Sequence, residues 1–250
     1  MKKLILHIPH SSSIIPFFEG FVLSKALLNN EILKLTDWYT DELFMNDNDI
    51  VIKASFSQVF CDVERFADDS KEVMFKFGMG VMYETCDNGD QLRIVDASLR
   101  KEILNKYYWP HHQMLNDKVN HALENNGNAF IVDCHSFPNI PFDRDLNREP
   151  NRPDFNIGTD DFHTPQKCVD MAVSYFSEKG YSVGIDWPYE GSIVPLEHYG
   201  KNTDVNTIML EVNRKLYLNE GTNEKSNSFG KIKEVVKVFI ELLRDNCSKV

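Results

Sequence analysis

The sequence predicts an α/β domain with a mostly parallel or mixed central sheet flanked by helices. Three observations support this prediction. Strand-like and helix-like patterns alternate from end to end. The 250 residues are 42% hydrophobic, which is enough for one large core. Polar residues follow several strand-like runs directly, as at the carboxyl edge of a parallel sheet. With no internal repeats, residues 1–250 are expected to form a single domain.

The first half of the chain predicts one strand, one long helix and several short strands. Residues 4–8 are an apolar run, and the polar loop His10-Ser11-Ser12-Ser13 follows. Ser24 is suited to cap a helix that extends to residue 44, with Asp37 and Asp41 on one face. Residues 49–54, 58–63 and 80–84 are rich in strand formers and short enough for hairpins.

The second half predicts a buried central strand between helices. Residues 97–124 have a helical pattern that Pro110 should kink near Tyr108. The apolar run 129–134 leads into Asp133-Cys134-His135-Ser136, typical of a central strand that delivers polar residues at its end. Residues 137–163 form a long polar loop, expected to be functional or mobile. A helix from Thr164-Pro165 to Gly180, strands at 181–185 and 206–212, and an amphipathic helix at 230–243 complete the chain.

The charge and cysteine content exclude several classes of protein. A net charge of -11 argues against nucleic acid as a partner, because phosphate binding needs clustered cations. Five cysteines without a C-x-x-C pair disfavour a disulfide framework and a thiolate zinc site, and they favour a reducing cytoplasm. The apolar run that follows the basic start is too short for a signal peptide, and no stretch is long enough to span a membrane.

Four polar clusters coincide with the predicted strand ends, where ligand sites of α/β sheets lie. They are His7/His10, Asp62/Arg65, Asp133/His135 and Glu211/Asn213/Arg214.

Imidazole and carboxylate groups in a chain without usable cysteine ligands indicate a mononuclear zinc site. His10 and His135 are the expected nitrogen ligands, and Asp37 or Asp41 the third ligand. His7 is left out because its spacing from His10 would place it on the opposite face of a strand. For any one histidine, a structural hydrogen-bonding role is the alternative, and the two aspartates could form a solvated helix face.

Glu211 is the expected general base, because amide hydrolysis needs a carboxylate that takes a proton from water and passes it to the leaving amine. Its alternative role is an ion pair with Arg214. Arg65 and Arg214 are expected to bind a substrate carboxylate, although each could be an ordinary surface arginine.

Nucleophilic catalysis is a weaker interpretation. Ser11 and Ser136 lack a G-x-S-x-G elbow, so turns or supporting hydrogen bonds are expected of them. Cys134 should point away from the adjacent His135, which makes a dyad of the two geometrically poor.

A series of motifs, in order from residue 7 to about 220, resembles the N-formylglutamate amidohydrolase family. The matching segments are His10-Ser11, Asp37-Trp38, Asp62 with Arg65, Gly78-Met79-Gly80, Tyr108-Trp109-Pro110-His111-His112, Asp133-Cys134-His135-Ser136-Phe137-Pro138, Pro153-Asp154 with Gly158, Pro188-Tyr189-Glu190-Gly191, and Leu210-Glu211-Val212-Asn213-Arg214 with Leu216-Tyr217. Each motif is weak alone, but their shared order is specific.

The resemblance implies a fold similar to zinc carboxypeptidases and aspartoacylases, with one Zn²⁺ and a glutamate that activates water. It also implies hydrolysis of N-formyl-L-glutamate to formate and glutamate, the last step of one histidine degradation route. His10 and His135 then correspond to metal ligands and Glu211 to the base. Asp37 is the preferred third ligand, with Asp41 in reserve. Carboxypeptidases would take this ligand from the position of Ser13.

The remaining site predictions concern the substrate, a small acidic molecule. Arg65, Arg214, Asn213 and Tyr189 are expected to bind it, and His112 or an arginine to stabilise the oxyanion.

Three positions depart from the family pattern: Gln58 in place of an arginine, Glu64 in place of an asparagine, and Ser192 in place of a glycine. The first two changes weaken the case for a dianionic substrate. They leave open a different N-acyl or peptide substrate, or a non-catalytic protein that binds acidic ligands.

Overall fold

A computed structural model describes residues 3–219 and 221–247, which form a six-stranded mixed sheet with helices on both faces. The strand order is β2-β1-β3-β6-β4-β5. The strands are β1 (Ile5–Ile8), β2 (Ile50–Lys53), β3 (Ala129–Phe137), β4 (Phe155–Gly158), β5 (Val183–Ile185) and β6 (Val205–Asn213). β4 runs antiparallel to β6, and the other neighbouring pairs are parallel. The predicted fold class is confirmed.

The α-helices are α1 (Lys25–Leu35), α2 (Thr40–Phe44), α3 (Ala97–Ile103), α4 (Trp109–Asn126), α5 (Gln166–Glu178) and α6 (Phe229–Asn246). Short 3₁₀ turns occupy Val73–Phe77 and Arg214–Leu216. None of the helices in the described part of the chain is long and apolar enough to cross a membrane.

The alternation of side chains along β3 separates an apolar face from the face that carries the polar cluster. Val132 and Cys134 belong to the apolar cluster that contains Phe176 of α5 and Phe239 of α6. Ile131 belongs to a second cluster, with Leu115 and Val119 of α4. Because side chains two apart on a strand share a face, Asp133 and His135 continue the α4-side face beyond Ile131. The site therefore lies at the carboxyl end of β3, on the α4 side of the sheet.

The predicted helix over residues 24–44 is wrong, because two helices replace it. α1 ends at Leu35, where Thr36 has extended backbone and its N–H caps the Ile32 carbonyl. Tyr39 then takes a φ of 64° before α2 begins. Asp37 therefore lies in the break between two helices, where its side chain can turn toward the sheet.

Two predicted strands are also wrong, and one strand was missed. Residues 58–63 form a turn, in which the Phe60 N–H donates to the Ser57 carbonyl. Residues 80–84 contribute only the isolated bridge between Met79 and Tyr83. β4 lies inside the predicted loop 137–163, and its four residues are all buried.

Pro110 coincides with an irregular helix, as expected. Leu104–Tyr108 is π-helical and joins α3 to α4, and Pro110 lies in the first turn of α4. Proline has no N–H, and this position needs none. The predicted irregularity near Tyr108 is confirmed as a π-helical segment.

The cysteine prediction requires a correction, because Cys168 of α5 and Cys247 after α6 form a disulfide. Their Cα atoms are 6.1 Å apart, and both side chains are buried in the apolar cluster beside the sheet. No C-x-x-C spacing marks this pair, since 79 positions separate the two residues. Met1 and Lys2, the basic start considered as a leader, lie outside the described residues.

Candidate active site

His10, Asp37 and His135 come together at the carboxyl end of β1 and β3. One ligand atom from each residue lies within 4.8 Å of the other two. Asp37 Oδ2 is 3.3 Å from His135 Nδ1 and 3.9 Å from His10 Nδ1. All three residues are buried. The expected set of two imidazoles and one carboxylate therefore exists as a cluster whose Nδ1 atoms face a shared carboxylate oxygen.

The other nitrogen of each histidine is held by a buried carboxylate. His10 Nε2 is 2.8 Å from Asp62 Oδ1, and His135 Nε2 is 3.1 Å from Asp133 Oδ1. Since each of these carboxylates accepts a proton from Nε2, Nδ1 is the ring nitrogen that faces Asp37 and that a metal in the cluster would bind. Carboxylate–imidazole pairs of this kind orient metal-binding histidines in proteins.

The carboxylates also control the charge of the cluster. Burial lowers the pKa of His135, but Asp133 and Asp37 raise it more, and the net pKa lies well above the ordinary value. Burial raises the pKa of Asp62, but the neighbouring His10 and Arg65 hold it well below the usual range. The cluster therefore attracts positive charge.

Arg214 holds Asp37 in place, and its expected role in binding a substrate carboxylate remains a prediction. Its Nη2 donates to Asp37 Oδ1 at 2.7 Å, its Nε donates to Ser136 Oγ at 3.1 Å, and its Nη1 donates to the Lys34 carbonyl at 2.5 Å. The Ser136 N–H donates to Asp37 Oδ2 at 3.1 Å. The guanidinium is thus engaged by the end of α1 and by Asp37. Ser136 has the expected supporting role.

Glu211 lies beside His135, because the two residues are paired in the β3–β6 ladder. Its side chain is buried, and Oε2 has no hydrogen-bond partner among the described residues. Burial raises the pKa of Glu211 to about 8, and the nearby Asp37 and Asp133 contribute in the same direction. A buried carboxyl beside two imidazoles can exchange a proton near neutral pH.

Of the other three predicted substrate-binding residues, Arg65 is partly exposed, and Asn213 and Tyr189 have partners within the protein. Arg65 is partly exposed, with Nε 3.3 Å from Asp62 Oδ2 and Nη1 4.0 Å from Glu72. Asn213 is fully buried, and its side chain donates to Asn139 and to the Pro153 carbonyl. These contacts hold the β3–β4 loop against β6, and the expected substrate contact of Asn213 remains a prediction.

Tyr189 also has protein partners, since its hydroxyl lies 3.1 Å from both oxygens of Asp145 and 3.3 Å from Arg152 Nη1. These contacts link the 137–163 region to the segment before β6, and the expected substrate contact of Tyr189 remains a prediction. Asp41, the reserve ligand, forms an ion pair with Lys53 at 2.8 Å, so it is removed from the cluster.

His112 packs against Tyr108, with ring centroids 4.2 Å apart. Burial lowers its pKa to about 4, so the ring is neutral at neutral pH. Its Nε2 is buried without a hydrogen-bond partner within residues 3–219 and 221–247. Its predicted catalytic role remains a prediction.

A second buried group lies next to the first and was not predicted. His7 Nδ1 is 2.9 Å from Asp133 Oδ1 and 3.1 Å from Glu64 Oε1. His7 Nε2 is 2.9 Å from His111 Nε2. Asp133 touches both His7 and His135, so the histidines thought to lie on opposite faces belong to one continuous network. The alternation rule fails here because β1 ends at Ile8, before His10.

Gln58, a departure from the family pattern, has an internal role. Its Nε2 donates to the Leu35 carbonyl at 2.6 Å, and its Oε1 accepts from the Tyr83 hydroxyl at 3.0 Å. The same hydroxyl lies 2.6 Å from Asp62 Oδ2. Gln58 therefore supports the carboxylate that holds His10.

A cavity of about 310 Å³ lies beside this network. Trp38, Ile140, Phe142 and Leu218 are among its lining residues, and Arg214 separates it from Asp37. Neither His10 nor His135 lines the cavity. In the described chain, this apolar space is therefore separate from the His10/Asp37/His135 cluster.

Comparisons with known proteins were made by sequence and by fold. The family model for N-formylglutamate amidohydrolase matches residues 2–218. An N-formylglutamate deformylase of Pseudomonas putida is 26% identical over 235 residues, which covers 87% of this chain and 82% of the relative.

Two solved structures share the fold. An N-formylglutamate amidohydrolase from Ralstonia eutropha JMP134 superposes with a TM-score of 0.84 at 22% identity, covering 97% of this chain and 92% of that one. A gene product of Agrobacterium tumefaciens superposes with a TM-score of 0.68 at 16% identity and the same coverage. These likenesses show the fold, and the family match over residues 2–218 shows that the chain belongs to the N-formylglutamate amidohydrolase family.

Proposed function

We propose that this chain hydrolyses the amide bond of a small N-acyl amino acid, with N-formyl-L-glutamate as the expected substrate. The observation that carries the proposal is the position of Glu211 beside the His10/Asp37/His135 cluster. The products would be formate and glutamate, which suits the last step of a histidine degradation route in the cytoplasm.

A divalent metal, with Zn²⁺ preferred, is proposed as the cofactor. The available donors suit such a metal. They are two histidine Nδ1 atoms, whose rings are held by carboxylates at Nε2, and one oxygen of Asp37. When bound there, the metal would act as a Lewis acid that polarises the amide carbonyl and lowers the pKa of water.

The protein's own groups divide the remaining work. Glu211 would take the proton from the attacking water and deliver it to the leaving amine nitrogen, for which its raised pKa is suited. Arg65, partly exposed and next to Asp62, would bind a substrate carboxylate through its outer nitrogens. Arg214 would act by positioning Asp37.

The test is release of glutamate from N-formyl-L-glutamate by the purified protein, before and after chelation and after zinc is restored. We expect activity that is lost on chelation and returns with zinc. Glu211→Gln should keep its metal and lower kcat by about 100-fold or more. An active Glu211→Gln enzyme without metal would refute the mechanism.

A second candidate is a different N-acyl substrate, and Glu64 favours it. The Glu64 carboxylate is 18% exposed and approaches His135 Nε2 to 4.0 Å, adjacent to Arg65 in sequence. The negative charge of Glu64 beside the cluster would repel a dianionic substrate. A panel that compares N-formyl-L-glutamate with N-formyl-L-glutamine and N-formyl-L-methionine separates the two candidates by kcat/KM.

A further inference from the structure

We propose that His7, Glu64 and Asp133 form a second divalent-cation site beside the His10/Asp37/His135 cluster. One donor atom from each of the three residues lies within 4.8 Å of the other two. The proposal concerns ion binding and does not depend on which amide the protein hydrolyses.

The three donor atoms converge from different elements. His7 Nδ1 comes from β1, Asp133 Oδ1 from β3, and Glu64 Oε1 from the turn after residue 61. His7 and Asp133 are fully buried, and Glu64 closes the group on the solvent side with an 18% exposed side chain. The site therefore lies in the protein interior, and solvent reaches it only on the Glu64 side.

His7 Nδ1 faces Asp133 Oδ1 and Glu64 Oε1, so a cation bound between them would take the place of a proton on Nδ1. When His7 Nε2 carries the proton and donates it to His111 Nε2 at 2.9 Å, Nδ1 is left free to bind a cation. A hydrogen bond from the outer nitrogen is the usual means by which proteins orient a metal-binding imidazole. His111 therefore serves as the positioning partner.

Glu64 supplies an independent sign that a partner belongs here. Its Oε1 is buried, and its 3.1 Å contact with His7 Nδ1 lacks hydrogen-bond geometry, so within the described ranges it has an ionic neighbour but no hydrogen-bond donor. Leaving a buried carboxylate oxygen unsatisfied costs free energy, and a cation held between Glu64, His7 and Asp133 would remove that cost.

The charge and chemistry of the group indicate the class of ion. Two carboxylates and a neutral imidazole balance a divalent cation. Mixed nitrogen and oxygen donors suit Zn²⁺ or Mn²⁺ better than Ca²⁺, which prefers oxygen ligands alone. Asp133 Oδ1 also accepts from His135 Nε2, so the ion would lie next to a ligand of the first cluster.

The test is the number of metal ions per chain, measured by inductively coupled plasma mass spectrometry after loading the purified protein with Zn²⁺ or Mn²⁺ and removing free metal. The wild type is expected to retain two ions. Glu64→Gln should retain one, because it keeps the size of the side chain and removes the ligand charge. His10→Gln should also retain one ion, because it loses the ion of the His10/Asp37/His135 cluster.

Glu84→Gln is the matched control, since Glu84 is another half-buried glutamate, located beside Asp69 and Arg100. It should retain two ions, and circular dichroism should show the same fold in all variants. A wild type that saturates at one ion, unaffected by Glu64→Gln, overturns the proposal and leaves the proposed amidohydrolase activity intact. Two ions in both the wild type and Glu64→Gln overturn it as well.

Discussion

At the scale of single residues, Asp62 and Asp133 decide which nitrogen of each histidine is presented to the cluster. Each carboxylate accepts from an Nε2 atom, at 2.8 Å from His10 and 3.1 Å from His135. Without these acceptors, the imidazole rings could rotate and exchange tautomers. Preorganisation of this kind lowers the free-energy cost of binding a metal.

Asp62→Asn should therefore weaken zinc binding by about 10- to 100-fold. The amide keeps the size of the side chain but accepts a hydrogen bond less strongly, and it loses the negative charge beside His10. The dissociation constant can be measured by competition with a chromophoric chelator. Asp41→Asn, at the ion pair with Lys53, is the control and should bind zinc like the wild type. Equal affinities for all three proteins would contradict the orienting role of Asp62.

Glu211 should make the stability of the metal-free protein depend on pH. Its pKa is about 8 in the folded state and near 4.5 when unfolded, so the unfolded chain loses this proton first as pH rises. Between these values the folded state binds the extra proton, and the free energy of unfolding falls with increasing pH until about pH 8. Above about pH 8, Glu211 is ionised in both states, and its titration no longer changes the free energy of unfolding.

Glu211→Gln removes this dependence. In urea unfolding without metal, the variant should be more stable than the wild type at pH 8.5, and the difference should shrink toward pH 5. A difference that stays constant between these pH values would refute the raised pKa.

At the scale of secondary-structure elements, the end of α1 and the end of β6 together create the position of Asp37. The last residues of α1 offer free carbonyls, and Arg214 at the end of β6 donates to the carbonyls of Lys34 and Leu35 as well as to Asp37. The guanidinium thus binds the carbonyls at the end of α1 and fixes the Asp37 carboxylate at the same time. The break that separates α1 from α2 is stabilised from outside both helices.

Arg214→Lys should lower both stability and metal affinity, although it keeps the positive charge. An ammonium cannot reach Ser136, Asp37 and the carbonyls of α1 together, so we expect a loss of about 1–3 kcal/mol in the free energy of unfolding. Urea unfolding and chelator competition measure the two effects. Arg148→Lys is the control: its ion pair with Asp143 is exposed, and its effect should stay within about 0.5 kcal/mol. Equal effects of the two substitutions would exclude the proposed role of Arg214.

The loop between β3 and β4 is held by contacts with other segments of the chain. Arg144 Nη1 donates to the Thr85 carbonyl at 2.6 Å, and the Asp143 N–H donates to Asp87 Oδ1 at 2.8 Å. Arg152 and Asp145 form a buried ion pair in the same region. These contacts hold the loop against the 79–93 segment in the observed conformation.

At the scale of the whole molecule, the sheet separates the reactive face from the face that carries the disulfide. Cys168 and Cys247 join α5 to the end of α6 within the apolar cluster that includes Val132 and Leu210. Asp133 and His135 project from the opposite face of β3. The cross-link should therefore stabilise the fold without contributing to the reactive site.

Cys247→Ala should lower the free energy of unfolding by about 2–4 kcal/mol under oxidising conditions, because the cross-link restricts the unfolded chain over a long loop. Zinc affinity should be unchanged. With dithiothreitol, the wild type should become similar to the variant in urea unfolding, apart from the effect of the buried side chain. A wild type that is insensitive to reductant would show that the disulfide has no role in stability.

Much of the fold could be predicted from the sequence because the relevant forces are local. The apolar runs of β1, β3 and β6 and the spacing of α4, α5 and α6 follow from the side-chain periods of strands and helices. β4 escaped prediction because its four residues include the buried Asn156, whose side chain is satisfied by the Tyr189 carbonyl. That partner is 33 positions away.

For the site, the residue types and their order pointed to His10, His135, Asp37 and Glu211, because only a few side chains can bind a metal or exchange a proton, and the structure places these four side by side. Which charges meet was decided by the tertiary structure. The contact of Arg214 Nη1 with a carbonyl 180 positions earlier could not be read from the sequence. The sequence could not distinguish Asp41 from Asp37 as the third ligand. In the structure, Asp37 lies in the break after α1 and faces His135, whereas Asp41 lies in α2 and pairs with Lys53. Periodicity is a property of neighbouring residues, whereas the partner of a buried charge depends on which strands lie side by side.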